Sequence, residues 1–241
     1  AAIVSLSLFA TTSSVFATTS SVFASSSATI QADDNVTTTR QRSFAKTVPA
    51  GDYSGIAWLG GDKYAVVSDK SANEGFYIFT IDIDSVTGNI RNVVCEDFVE
   101  CDKGNRDLEG IAWMPEHGWI LMCGERDNMI RAYNRNGKSI GVDIPKHIAH
   151  TNLPGNSGLE SLSYNATTQR LWTCNEAAPI MLVAYDDAFN IRESYPYTMD
   201  APKKNGTKAA AYAHGISEVC AMDDGSLLVL EREFYVPKAK I

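Results

Sequence analysis

A fourfold internal repeat restricts this chain more than any other feature. Ser54-Gly55-Ile56-Ala57-Trp58 aligns with Glu109-Gly110-Ile111-Ala112-Trp113, with Glu160-Ser161-Leu162-Ser163-Tyr164 and with Ser217-Glu218-Val219-Cys220-Ala221. Their starts are separated by 55, 51 and 57 residues. Each segment leads through a turn into a second apolar run that ends on a carboxylate: Tyr64 to Asp69, Trp119 to Glu125, Leu171 to Glu176 and Leu227 to Glu231. The turns carry hairpin residues such as Gly60-Gly61-Asp62 and Asp223-Asp224-Gly225.

Two more strands complete each unit. They are expected at Phe76 to Ile83 and Ile90 to Val99, at Met129 to Tyr133 and Ser139 to Ile144, and at Ile180 to Tyr185 and Ile191 to Tyr197. Only Lys208 to Ala213 reads as weakly helical. Four-stranded antiparallel units repeating every 50-odd residues predict an all-β chain, a β-propeller of four-stranded blades. A β-sandwich is the alternative. Three units are complete and the fourth stops after its second strand, so the chain is expected to be truncated at its C-terminus, with five or six blades in the full protein. Phe44 to Val48 is a candidate strand of the closing blade.

Of 241 residues, 21 are Lys or Arg and 29 are Asp or Glu, a net charge of −8. That sign argues against nucleic acid and against an anionic membrane surface. All of the charge lies after residue 32. Residues 1–32 are rich in Ser, Thr and Ala, and they begin with a ten-residue apolar run too short to span a bilayer. Val-Phe-Ala triplets end at Ala17 and Ala24. This stretch is expected to be a signal-peptide remnant, with a disordered linker as the alternative. Residues 33–49 then form a linker and 50–241 the folded domain. A secreted protein, extracellular or periplasmic, with no stable membrane span follows; a monomer is expected.

In a secreted chain Cys95 and Cys101 are the best disulfide candidates, while Cys123, Cys174 and Cys220 read as buried small hydrophobes. Sequons stand at Asn35, Asn165 and Asn205.

Antiparallel pairing brings the start of each first strand beside the end of the second. Glu109 then lies by Glu125, Glu160 by Glu176, Ser54 by Asp69, and Ser217 or Glu218 by Glu231, all around one mouth. Asp52, Asp107, Asn156 and His214 precede the first strands, and Lys70, Arg126 and Arg232 follow the second. Clustered carboxylates raise one another's pKa and ask for a hard cation or for basic side chains. Asp69, Glu125, Glu176 and Glu231 are the candidate ligands for Ca²⁺. Glu109, Glu160 and His214 are candidate catalytic groups, and Lys70, Arg126 and Arg232 candidate anchors for a substrate phosphate. Glu109 and Glu160 have a second reading, as latches between blades. No Gly-x-Ser-x-Gly, P-loop or dinucleotide fingerprint occurs.

The ordered set Tyr53 to Ala57 with Ser68-Asp69-Lys70, Arg106 to Ala112 with Gly124-Glu125-Arg126, Asn156 to Leu162 with Asn175-Glu176, and Ile216 to Val219 with Leu228 to Arg232 resembles the phytase-like family labelled "esterase-like activity of phytase". The resemblance spans roughly residues 50–235. It implies a secreted propeller, hydrolysis of a small-molecule phosphate ester and a chain that continues past Ile241. The alternatives are a non-catalytic propeller that binds a ligand or ion, and a metal-dependent carboxylic-ester hydrolase or lactonase.

Overall fold

The computed structural model describes residues 19–22, 31–32, 42–155, 157–204 and 206–238. The chain is an all-β propeller array of antiparallel sheets. The first blade is β3 (Tyr53–Gly60), β4 (Lys63–Ser68), β5 (Glu74–Ile83) and β6 (Ile90–Asp102), paired in that order. The second is β7 (Leu108–Met114), β8 (Trp119–Gly124) and β9 (Met129–Asn134). The third is β10 (Leu159–Asn165), β11 (Arg170–Asn175), β12 (Ile180–Tyr185) and β13 (Ile191–Tyr197). In the fourth, β14 (Ala209–Ala221) and β15 (Leu227–Pro237) are joined by β1 (Thr19–Val22) and β2 (Gln31–Ala32).

Alternating strand residues face two neighbouring blades, and three apolar layers result. Ala57, Val67 and Phe76 meet Leu108, Ile111 and Met122. Leu121 and Ile130 meet Leu162, Leu171 and Val183. Trp172 and Leu182 meet Ile216, Val219 and Val229. Fully burying one such aliphatic side chain contributes about 2 kcal/mol, so these layers fix blade order. The first strands of successive blades also touch backbone to backbone. A Cβ on Gly55 would lie 2.6 Å from the Glu109 carbonyl oxygen, and one on Gly110 only 2.5 Å from the Leu162 nitrogen. The Gly-Ile-Ala-Trp repeat thus records a close approach that no side chain allows.

Several expectations are corrected. Ser139 to Ile144 is not a strand. Gly137 and Gly141 take φ values of 78° and 71°, and only Tyr133 and Ser139 form a bridge. Ile144 is buried in the core instead. The segment from Ala209 is extended rather than helical, because cross-strand pairing with Phe234 to Pro237 overrides the helical preference of alanine. Phe44 to Val48 forms a turn that packs on blade one and not a closing strand. Within the Ser/Thr-rich stretch, Thr19–Val22 pairs with β15. The expected cleavage sites lie outside the described residues.

Cys95 and Cys101 stand six residues apart on the single strand β6, and both are free. Such a separation is about 20 Å, far beyond disulfide reach. Cys220 is only half-buried. Asn165 is 8% exposed, and its amide donates to Ala221 O at 3.3 Å and Asp223 Oδ1 at 2.9 Å. Its side chain is committed inside the fold and closed to glycosylation. Asn35 and Asn205 lie outside the described residues.

His150 ends a short 3₁₀ turn (Ile148–His150) and is 1% exposed, with Nε2 3.0 Å from the Met181 carbonyl. Burial pushes its pKa from 6.5 down to about 4, opposed by that carbonyl and aided by His147. The unfolded imidazole therefore takes up a proton that the native one refuses. Stability present above pH 6.5 is lost as pH falls toward 4. At pH 5 the loss is about 2 kcal/mol. Urea unfolding at pH 7.5 and pH 5 should show the stability of the wild type relative to His150→Gln falling by about 2 kcal/mol between the two pH values, and an unchanged difference contradicts it.

Candidate functional site

Every first strand carries a one-residue irregularity where its repeat segment begins, at the strand start in blades one to three and within β14 in blade four. The ladder skips Ser54 between Tyr53 and Gly55, Glu109 between Leu108 and Gly110, Glu160 between Leu159 and Ser161, and Ser217 between Ile216 and Glu218. These are the first residues of the four repeats. A bulged residue is unpaired and its side chain is re-aimed. Of the expected side-by-side pairs, Glu160 and Glu176 do meet, with carboxylate oxygens within 4.8 Å, whereas Glu109 and Glu125 fall into different groups. Gly124 faces Leu108, and Glu125 N donates to the Asp107 carbonyl at 2.8 Å. Glu176 N donates to Gly158 O at 3.0 Å, and Glu231 faces Ile216.

The re-aimed carboxylates meet those of neighbouring blades in two groups. Asp69, Asp107 and Glu109 bring ligand oxygens within 4.8 Å of one another, and so do Glu125, Glu160 and Glu176. The first group joins blades one and two; the second joins blades two and three. Cations flank both. Lys70 Nζ lies 2.6 Å from Asp69 and 3.5 Å from Asp107, and Arg126 Nε lies 3.4 Å from Asp107. Arg232 reaches back from blade four to Glu176 at 2.5 Å and Glu160 at 3.7 Å.

Burial raises the pKa of Glu109, and the charges of Glu160, Asp69, Glu125 and Asp107 raise it further. Burial likewise raises that of Glu160, against the pull of Arg232 and with the push of Glu176 and Glu125. Glu125 is raised by burial, opposed by the Gly158 N–H that donates to it at 2.9 Å. Asp69 Oδ1 is buried with no hydrogen-bond partner. Among the described residues, the first group is compensated by solvent-exposed Lys70 and Arg126, whereas the second has Arg232 and a backbone donor.

Glu231 and His214 stand apart from both groups. Glu231 is 4% exposed and accepts from Tyr197 OH at 2.7 Å and Asp200 N at 3.0 Å; His214 Nε2 is 3.9 Å from it. Side-chain-to-backbone latching between blades falls elsewhere than on Glu109 and Glu160, although Glu160 does meet Arg232 of blade four. Ser54 Oγ donates to Leu108 O at 2.6 Å, and Val219 N donates to Ser161 Oγ at 2.8 Å. Arg106 grips Glu74 through two contacts of 2.8 Å and binds Asp127 at 2.7 Å, a buried pair between blades one and two. The sequence reading missed Glu74, Asn105 and Arg106 as a unit. Arg106 and Asp107 lie in a repeat motif, but nothing in the local pattern points to Glu74, 32 residues earlier.

The phytase-like family, described as "Esterase-like activity of phytase", matches residues 48–241. No curated protein matches the sequence. Among solved structures, hydrazine synthase of Kuenenia stuttgartiensis aligns at 13% identity with a TM-score of 0.42, covering 76% of this chain and 43% of that one. The WD40 β-propeller domain of Doa1 aligns at 14% identity with a TM-score of 0.36, covering 69% and 48%. The chain thus spans less than half of either structure.

Crowded buried carboxylates are costly to ionise. Glu109→Gln should therefore stabilise the cation-free protein by about 1–2 kcal/mol, roughly 2–8 °C in Tm. Thermal unfolding in chelator at pH 7.5 measures this, and an unchanged or lower Tm contradicts it.

Proposed function

The chain belongs to the phytase-like family, and from that premise we propose that it is a metal-assisted hydrolase of small phosphate esters acting at the carboxylate mouth. The observation that carries this reading is the first carboxylate group. Asp69, Asp107 and Glu109 converge from two blades, and one buried oxygen of Asp69 has no partner. Its donors are all carboxylate oxygens, which suits a hard cation such as Ca²⁺ and disfavours a soft one. The three residues would hold that cation. When bound, it supplies Lewis-acid polarisation of a phosphoryl oxygen and eases deprotonation of water.

The remaining work belongs to side chains. Lys70 and Arg126, with side chains 62% and 66% exposed, present charge to solvent beside the cluster and can take phosphate oxygens. Arg232 is held by Glu176 and Glu160 and serves as a fixed counter-charge. Glu160, whose pKa is raised by burial, retains a proton above the ordinary carboxylate range. It is the group suited to protonate a leaving oxygen. Glu231 and His214 have no part in this arrangement. The Ser/Thr/Ala stretch at the N-terminus supports a secreted protein.

Phosphate release from a panel of phosphomonoesters, with Ca²⁺ and with chelator, tests the reading. Release should require the cation and fall at least a hundredfold in Asp69→Asn, with the fold retained by circular dichroism. Turnover unaffected by chelator, or confined to carboxylic esters, contradicts it. Cation-dependent stabilisation without turnover of any ester would favour a binding propeller instead.

A further inference from the structure

Asp69 belongs to blade one and Asp107 and Glu109 to blade two, so something must hold the two blade edges in register at this point. Asn105 occupies that junction. It is 8% exposed, and its Nδ2 donates to Ser68 O at 2.8 Å, Asp69 O at 3.1 Å and Ser71 Oγ at 2.8 Å. Its Oδ1 accepts from Leu108 N at 3.1 Å, and its own carbonyl accepts from Arg126 Nη1 at 3.0 Å. One amide therefore grips the backbone of Asp69, the start of the strand that carries Glu109, and the Arg126 side chain.

Only a primary amide of this length meets that demand. It must donate toward two carbonyls on one side and accept from an N–H on the other. A carboxylate would face the Ser68 and Asp69 carbonyls with lone pairs and add a charge to a group already rich in them. We infer that Asn105 is a positioning residue that sets the spacing of the Asp69, Asp107 and Glu109 carboxylates across the blade boundary, and with it their affinity for a cation. The inference rests on the cation-binding reading above. Asn105 touches neither substrate nor cation; it acts through Asp69 and Leu108. Arg106, the next residue, anchors the same segment to Glu74. Asp107 follows at φ 59°, so a side chain in a left-handed backbone conformation is held between two fixed neighbours.

The fold supplies its own control. Asn165 makes the same kind of clasp between blades three and four, with its amide on Ala221 and Asp223 and its Oδ1 accepting from Thr168 N. It lies at the hairpin-turn end of the blades, away from the carboxylates. Terbium(III) luminescence titration of the full chain, with calcium competition, compares wild type, Asn105→Ala and Asn165→Ala. Thermal unfolding without cation is followed in parallel. Both variants should unfold at lower temperature, and only Asn105→Ala should lose tenfold or more in cation affinity. Wild-type affinity in Asn105→Ala, or equal loss in both variants, overturns the positioning role while leaving cation binding standing. No titratable binding to the wild type overturns both.

Discussion

A one-residue bulge at the first position of each repeat, in the inner strand, is the constraint on which this molecule depends. Ser54, Glu109, Glu160 and Ser217 are each left out of the ladder. Adjacent inner strands approach so closely at Gly55 and Gly110 that a Cβ there would collide with the next blade's backbone. Close approach and bulge act together. The glycine lets the blades converge, and the extra residue turns its side chain toward the neighbour instead of along its own sheet. Regular hairpins would have paired acids within a blade. The bulged ones also share them between blades, while Glu160 and Glu176 of blade three remain side by side.

Sharing concentrates charge. Six carboxylates gather in two groups with Lys70, Arg126 and Arg232 as the nearby cations. Like charges at this spacing and burial are unfavourable unless they are neutralised. The second group is met by a guanidinium and a backbone N–H, whereas the first relies on two exposed side chains and leaves a buried oxygen of Asp69 unsatisfied. That asymmetry separates a group that still lacks a buried counter-charge from one that already has its own. The apolar layers between blades and the buried Arg106–Glu74 pair resist the repulsion. Breaking such a pair from one side would leave a buried charge uncompensated.

The repeat made the fold legible. Gly-Ile-Ala-Trp, the hairpin turns and the strand-end acids located the paired first and second strands of all four blades and the end of the array where Asp69, Glu109, Glu125, Glu160 and Glu176 gather. The bulges were not legible, because a single extra residue leaves the apolar alternation on either side intact while it shifts every pairing by one. Glu231 shares the strand-end position of Asp69 and Glu125 yet is consumed by Tyr197, the last residue of β13, and by Asp200 in the loop after it, which the repeat does not describe. The fourth strand of blade two failed for a local reason, since Gly141 turns the chain out of an extended path. Asn105 and Glu74 act through contacts more than 30 residues distant, which no local pattern encodes.

The central claim is that carboxylates of two adjacent blades form one site for a hard cation. Anomalous diffraction from crystals soaked in a lanthanide salt addresses it directly. A peak bounded by the side chains of Asp69, Asp107 and Glu109 is the result that this account predicts. Crystals that take up the ion elsewhere and show no density between those three residues would contradict it.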